Sequence, residues 1–239
     1  EKYPKKYFRN NVLGTKSLLR ACENTTIKNL VFSSTAAVYK DGQYKVNEKS
    51  TIKPKSVYGK TKIKAEKIIK QFCIRNQINY CILRYFNIAG SSPSGKIGLI
   101  NKSDHLFKNF SREIIKKRPI LKIYGNNYNT KDGSCIRDFI HVSDIAEIHY
   151  KVLEKIYKSK NSKTLNCGYN RGISVLDVAK AFKNQTSKNV VILVSKRRKG
   201  DLEKIIAANN KLKKFIKWKP KFNNLNKIVK SCINWEKRQ

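Results

Sequence analysis

Thr35, Tyr58 and Lys62 are the residues of this chain whose types and spacing suit proton transfer. Thr35 lies in FSSTAAVY, at the end of an apolar run, and Tyr58 and Lys62 lie in SVYGKTK, at the start of a helical pattern. Residues four apart share one face of a helix, so the phenol and the ammonium are expected to be neighbours. A phenol ordinarily ionises near pH ~10, and an adjacent cation favours the phenolate. Tyr58 is therefore expected to act as a base near neutral pH. Thr35, expected on a loop after a strand, could hydrogen-bond the same substrate oxygen. Taken alone, a Tyr and a Lys on a lysine-rich helix are usually solvated surface, so the pair needs support from its surroundings.

Other chemistry-bearing residues offer less. Three histidines make no metal cluster, and His141 reads as a structural hydrogen-bonding residue. Cys22, Cys73, Cys81, Cys135, Cys167 and Cys232 are widely spread, with no C-x-x-C pair and mostly apolar neighbours. They read as small core residues in a reducing cytosol, with neither disulfides nor metal. Asp132 and Asp138 read as turn and salt-bridge residues. Gly59-Lys60-Thr61 is not a phosphate loop, because Pro54 stands where such a loop needs glycine. Asn24-Thr25-Thr26 and Asn109-Phe110-Ser111 match glycosylation acceptors, but such triplets are common by chance.

At 239 residues the chain can bury a full core, as one large domain or two smaller ones. No apolar run approaches the ~20 residues that span a bilayer, and no export leader is visible, so the expected location is cytoplasmic. The formal charge is +37, from 53 basic and 16 acidic residues. That suggests a polyanion partner at first sight. Only 11 of the basic residues are arginine, however, and the lysines run from end to end instead of forming one stripe. Abundant Lys, Asn and Ile, all with A/T-rich codons, point to genome composition, so no dedicated nucleic-acid partner is expected.

Helical and strand patterns alternate. Tyr7 to Glu23 reads as helix, Asn29 to Ser33 as strand, Val57 to Arg75 as a long amphipathic helix and Tyr80 to Phe86 as strand. This order implies crossover units and a parallel sheet. Further on, Leu106 to Lys117, Val142 to Tyr157, Ser174 to Phe182 and Leu225 to Trp235 read as helices. Ile120 to Gly125, Thr164 to Cys167 and Val190 to Val194 read as strands, and Asn126 to Ser134 as a long loop. Ser174 is expected to cap its helix, with Asp177 at the third position.

With these elements placed, the chain resembles the extended short-chain dehydrogenase/reductase superfamily, and within it the branch of UDP-sugar 4-epimerases. The resemblance rests on NNVLGT (Asn10 to Thr15), FSSTAAVY, SVYGKTK, LRYFNIAGSSPSG (Leu83 to Gly95), IYGNNYNTKDGSCIRDFIHVSDIA (Ile123 to Ala146), ISVLDVAKAF and RRKGDL (Arg197 to Leu202), in the family's order. It implies an α/β fold: a Rossmann-like doubly wound parallel sheet with its N-terminal part missing, and a smaller α/β substrate-binding domain. Residues 1–86 and 138–166 would be the remainder of the NAD-binding domain, and 87–137 and 167–239 the sugar-nucleotide-binding domain. The family's Gly-rich strand-to-helix turn is not in the sequence, so the chain is expected to be a fragment lacking its N-terminal end.

The implied activity is reversible NAD-dependent epimerisation at sugar C4, interconverting UDP-glucose and UDP-galactose through a 4-keto intermediate. By this resemblance Tyr58, Lys62 and Thr35 are catalytic, and the same three with Asn10 and Phe86 meet NAD. Asn87, His105, Leu106, Tyr124, Arg137, Arg198 and Asp201 would bind the substrate, the two arginines at its diphosphate. No metal is implied, no membrane contact is expected, and the family suggests a homodimer. Lys108 replaces a usual Pro beside the nucleotide-binding turn. Ile205 sits where family members vary in bulk, leaving another UDP-sugar, an N-acetylhexosamine or a uronate, as an alternative. Sugar 4,6-dehydratases fit less well, because Ala36-Ala37 replaces their acidic pair. A non-catalytic basic scaffold for RNA is the remaining alternative.

Overall fold

The computed structural model describes residues 3–100, 105–198 and 200–239. The chain begins with α1 (Pro4–Phe8), a π-helical turn (Arg9–Leu13) and α2 (Gly14–Cys22), then β1 (Asn29–Thr35), β2 (Lys45–Val46), α3 (Val57–Arg75), β3 (Asn79–Tyr85) and β4 (Asn87–Ala89). It continues through α4 (Leu106–Ile114), β5 (Ile120–Tyr124), β6 (Ile136–Arg137), β7 (Phe139–His141), α5 (Val142–Ser159), β8 (Lys163–Cys167) and β9 (Ile173–Ser174). The last elements are α6 (Val175–Lys183), β10 (Val191–Ser195), β11 (Lys204–Ala207), α7 (Asn210–Ile216) and α8 (Leu225–Glu236). Two compact units result: Glu1–Phe86, Glu147–Cys167 and Ala207–Lys219 form the first, and Asn87–Ala146, Gly168–Ile206 and Pro220–Gln239 the second.

The first unit is built on a parallel sheet in the order β1-β3-β8, with Thr35 opposite Tyr85 and Tyr85 opposite Cys167. The central strand β3 has Cys81, Ile82 and Leu83 wholly buried, as expected for a parallel strand covered on both faces. On one side Leu19 of α2 packs with Ile69 and Cys73 of α3, joined by Leu30, Phe32 and Tyr80 from the sheet. Ile148, Val152 and Ile156 form the fully buried stripe of α5, at helical spacing. Burial pushes the thiols of Cys73 and Cys81 up to about 11 and about 12 respectively. All six cysteines are free; five are buried and Cys22 is half-buried.

In the second unit β5 pairs parallel with β10 and β4 parallel with β7, while β6 is flanked by parallel β11 and antiparallel β9. Its core includes edge-to-face contacts of Phe182 with Phe107 and Phe110, at centroid distances of 5.6 and 5.5 Å. Ser174 caps α6 as expected, its Oγ accepting from Asp177 N at 2.9 Å. The loop before β6 is tied down by Asp132, which accepts from Ser134 N and Oγ, both at 2.9 Å, and from the Ser174 hydroxyl. Gly133 has φ +74°, and a Cβ there would meet the Asn126 carbonyl oxygen at 1.9 Å, so the turn requires glycine. Asp138 is fully buried and accepts from Tyr169 N (2.8 Å) and Asn170 N (2.9 Å).

His141 is also structural: Nδ1 accepts from Ser143 N (3.1 Å), and the ring stacks on Phe222 at 4.4 Å. Lys108 is buried and donates to Glu236 on α8 (2.6 Å), so its ammonium links α4 to α8. No helix among the described residues is long and apolar enough to cross a membrane.

The first helix differs from expectation. It starts at Pro4, whose fixed φ and missing N–H suit a helix start, and it is interrupted by the π turn carrying Asn10 and Asn11. Such turns are common at functional sites. The Asn11 amide donates to Thr61 Oγ1 (3.0 Å), which joins this turn to α3.

Candidate active site

In the first unit, two local features bring β1 and α3 together. β1 runs to Thr35, so this residue is the last of the strand and not part of a following loop. Its Oγ1 accepts from Ala37 N (3.1 Å) and caps the short 3-10 turn Ala36–Val38. Ser56 caps α3, with Oγ accepting from Gly59 N at 3.0 Å, which fixes the first turn carrying Tyr58. Gly59 lies against the turn after β1: a Cβ there would be 2.3 Å from the Ala37 carbonyl oxygen. The close approach places Tyr58 in hydrogen-bond contact with the Thr35 side chain. Tyr7 packs edge-on to Tyr58, with ring centroids 6.0 Å apart.

Burial dominates the electrostatics of both Tyr58 and Lys62. Burial raises the Tyr58 pKa above its ordinary value, and the hydrogen bond with Thr35 only partly offsets this. The Lys62 ammonium lies 4.2 Å from the centroid of Phe32. Burial lowers the Lys62 pKa, opposed by the charge of Glu66 one turn along α3. In the protein alone, burial therefore favours the neutral form of the phenol.

Beneath the site runs a buried polar network. Ser34, next to Thr35, donates to Glu66 Oε1 (2.6 Å). Arg84 of β3 grips the same carboxylate through Nε (3.0 Å) and Nη2 (2.7 Å), and donates from Nη1 to the Tyr39 hydroxyl (3.1 Å). Tyr39 in turn donates to Asn166 Oδ1 at 2.6 Å. The network joins β1, α3, β3 and β8 immediately behind Thr35.

Two residues of this half of the expected site remain. Asn10 is exposed on the π turn, and Phe86 is buried just after β3. Among the described residues the Lys62 ammonium has no hydrogen-bond or ion-pair partner, so its donors are available to ribose hydroxyls. Thr35 and Tyr58 offer hydroxyls at the carboxyl end of β1, where parallel sheets hold nucleotide cofactors. These groups fit the nicotinamide-ribose end of a dinucleotide.

The second unit gathers all seven expected substrate residues. Asn87, His105, Leu106, Tyr124, Arg137, Arg198 and Asp201 line one cavity of about 710 Å³. Arg198 lies over the Tyr124 ring, 3.8 Å from its centroid, and Arg137 faces Asp201 at 3.8 Å. The neighbouring Arg197 turns away, covering Tyr128 and bonding the Asn127 side chain. Ile205 is buried opposite Arg137 in the β11–β6 pairing. Sequence reasoning missed Asn109, Glu113 and Lys122, which share the cavity. The signal was present: residues 106, 109, 110 and 113 mark one helical face, and 120, 122 and 124 one strand face.

Comparison with known proteins gives this arrangement a lineage. The sequence matches the NAD-dependent epimerase/dehydratase family over residues 1–168. The chain belongs to that family. A UDP-glucose 4-epimerase of Azospirillum brasilense is 36% identical over 236 residues, covering 98% of this chain and 68% of the relative. The crystal structure of a UDP-glucose 4-epimerase from Stenotrophomonas maltophila, with bound NAD and formylated UDP-arabinopyranose, superposes with a TM-score of 0.94 at 30% identity. It covers 100% of this chain and 72% of that one. The structure of a UDP-Glc/GlcNAc 4-epimerase from Campylobacter jejuni is 36% identical with a TM-score of 0.82, covering 100% and 73%. This epimerase/dehydratase family is NAD-dependent, and the chain, a homologue of the UDP-glucose 4-epimerases, is an isomerase with its Rossmann-like α/β fold.

Proposed function

We propose that the chain epimerises a UDP-sugar at C4, interconverting UDP-glucose and UDP-galactose through a 4-keto sugar. The observation that carries this reading is the hydrogen bond between Tyr58 and Thr35, with the unspent ammonium of Lys62 one turn along the same helix. The first unit would serve the cofactor and the proton transfer, and the second the sugar nucleotide.

NAD+, when bound, supplies the nicotinamide that accepts a hydride from sugar C4 and returns it. As the phenolate that Lys62 and the positive charge of bound NAD+ would together favour, Tyr58 takes the proton of the 4-hydroxyl and gives it back at the end of the cycle, so protons balance and no second substrate is consumed. Thr35 shares that proton bond and orients the oxygen. Lys62 holds the nicotinamide ribose, Asn10 and Phe86 line the nicotinamide side, and positive charge near the phenol offsets the cost of ionising it in a buried setting. In the second unit Arg137 and Arg198 present planar forks to the diphosphate, with Asn87 beside them. Asp201 takes the ribose, and Tyr124, His105 and Leu106 surround the base. A nucleotide fixed in this way leaves the hexose free to present either face of its 4-keto carbon.

The test supplies NAD+ and UDP-galactose and follows UDP-glucose without added reductant. Tyr58→Phe should lower the rate by about 10²-fold or more. UDP-N-acetylglucosamine belongs in the same assay, since Ile205 is of intermediate bulk and one similar structure is of a UDP-Glc/GlcNAc 4-epimerase. Submicromolar RNA binding at high salt with no turnover of any sugar would establish the scaffold reading instead. Sedimentation of the assayed protein tests the expected homodimer.

A further inference from the structure

A second cavity of the second unit, of about 220 Å³, takes no part in the roles above. Its walls come from α8 and from the loop that follows β4. Early in that loop Ser91 is tied to α8, its N–H donating to Ser231 Oγ (3.2 Å) and its hydroxyl to the Ser231 carbonyl (2.7 Å). Further along, Arg238 Nη1 donates to the carbonyls of Ser94 (3.1 Å) and Gly95 (3.0 Å). Gly95 has φ +65°, and a Cβ there would stand 2.2 Å from that same nitrogen, so the guanidinium fits only over glycine. The two walls are thus joined at both ends.

The charge of this cavity is one-sided. Lys227, Lys230 and Asn234 share one face of α8 and line it together with Arg238, while no acid among the described residues does. Among the described residues neither lysine ammonium, nor the Asn234 amide, has a hydrogen-bond or ion-pair partner. The one acid of α8, Glu236, is bound to Lys108 at 2.6 Å. Lys227 also stands in the first turn of α8, which carries no acid, and there the helix dipole disfavours a cation. Its own N–H is already taken by Asn224 Oδ1 (3.0 Å), so the side-chain cations, and not the helix end, define the site.

We infer that this cavity binds a phosphate group, free or on a small phosphomonoester, through Lys227, Lys230 and Asn234. An ammonium only donates, and the Asn234 amide brings two further donors, which suits an anion whose oxygens all accept. Its volume is below the ~300–1,000 Å³ of sites for drug-sized ligands, so it favours a small ion over an extended one. His141, which also lines it, adds no charge: burial lowers its pKa, and Nδ1 accepts from Ser143 N. The site is separate from the cavity of Arg137 and Arg198, with which it shares no lining residue.

The test is a 31P NMR titration of the whole chain with inorganic phosphate and with glycerol 3-phosphate, at fixed ionic strength. Both lysines are exposed, so wild type should bind saturably but weakly, with Kd near ~1 mM. Lys227→Gln/Lys230→Gln should weaken this by ~10-fold or more, the scale of one charge-assisted hydrogen bond. Lys213→Gln/Lys214→Gln removes the same charge from exposed positions of α7 and should change binding by less than about twofold. Phosphate taken up by Arg137 and Arg198 is common to all three proteins, so the difference between them reports this cavity. Whichever probe binds names the form of phosphate that the site takes. Absence of saturable binding, or a loss in the first double variant no greater than in the second, overturns the inference.

Discussion

Gly59 and Ala37 meet where no side chain fits: a Cβ on Gly59 would stand 2.3 Å from the Ala37 carbonyl oxygen and 3.0 Å from Pro54 Cβ. The contact lets the start of α3 close on the end of β1, and so lets Tyr58 reach Thr35. In an exposed helix interior, Gly to Ala stabilises by roughly 1 kcal/mol. Here the overlap involves backbone that cannot swing aside, so the sign reverses. Gly59→Ala should lower the melting temperature and, in the epimerase assay, reduce turnover by about tenfold or more while UDP affinity is unchanged. A stabilised variant with wild-type turnover would show that the approach is not needed.

Tyr58 carries a pH signature. Its pKa is raised by burial, so the folded state holds the phenolic proton more tightly than the unfolded chain does. The stability this gives is fully present below the unfolded value of ~10 and is lost as pH rises through the higher folded value. Tyr58→Phe removes the term. The melting temperature of wild type should therefore fall relative to Tyr58→Phe as pH is raised above ~10, with a constant difference below. Tyrosine-selective 13C spectra supply the direct check, with the Tyr58 resonance titrating above the exposed tyrosines.

Much of this arrangement was legible beforehand because it obeys short-range rules. The bounds of α3 follow from the Ser56 cap and an unbroken helical pattern, and the buried run of β3 from its continuous apolar sequence. The seven substrate residues converge on one cavity although they come from distant segments, which motif order indicated and periodicity did not. The charge state of the site was not legible. Spacing put Lys62 and Tyr58 on one helical face, but it shows neither that the ammonium lies over Phe32 nor that burial raises the phenol's pKa. Two-residue strands such as β6 and β9 carry no pattern of their own and form only by pairing across the fold. Lys108 was legible only as a departure, since its partner Glu236 lies 128 residues away.

Arg137 and Arg198 give a prediction about geometry in place of charge. Lysine keeps the charge of arginine but offers a point contact where the guanidinium offers two parallel donors. Arg137→Lys and Arg198→Lys should each weaken UDP binding by about tenfold and leave UMP, with one phosphate, less affected. In a chain of net charge +37, nonspecific attraction would survive either change. Calorimetry at two salt concentrations separates the cases: equal losses for UDP and UMP, disappearing at high salt, would mean that the arginines act only through bulk charge.

Glu66 and Arg84 form the most deeply buried ion pair described, with side chains 0% and 4% exposed. Both are fully engaged: the carboxylate receives Ser34 and two donors of Arg84, and the guanidinium also reaches Tyr39. Glu66→Gln keeps shape but strands the cation, and removal of one partner from such a pair costs about 3–5 kcal/mol. At ~2–4 °C per kcal/mol for a protein of this size, melting should drop by roughly 10 °C. Replacing both residues by leucine should recover part of that loss, because two uncharged side chains leave no buried charge, although Tyr39 and Ser34 then lack their partners. Since Ser34 adjoins Thr35, turnover should fall in the double variant even where stability returns. Thermal unfolding of Glu66→Leu, Arg84→Leu and the double variant, with Glu66→Gln beside them, checks this. Additive losses would mean that the pair is not coupled, and a loss below 1 kcal/mol in Glu66→Gln would mean that the site is wetter than its burial indicates.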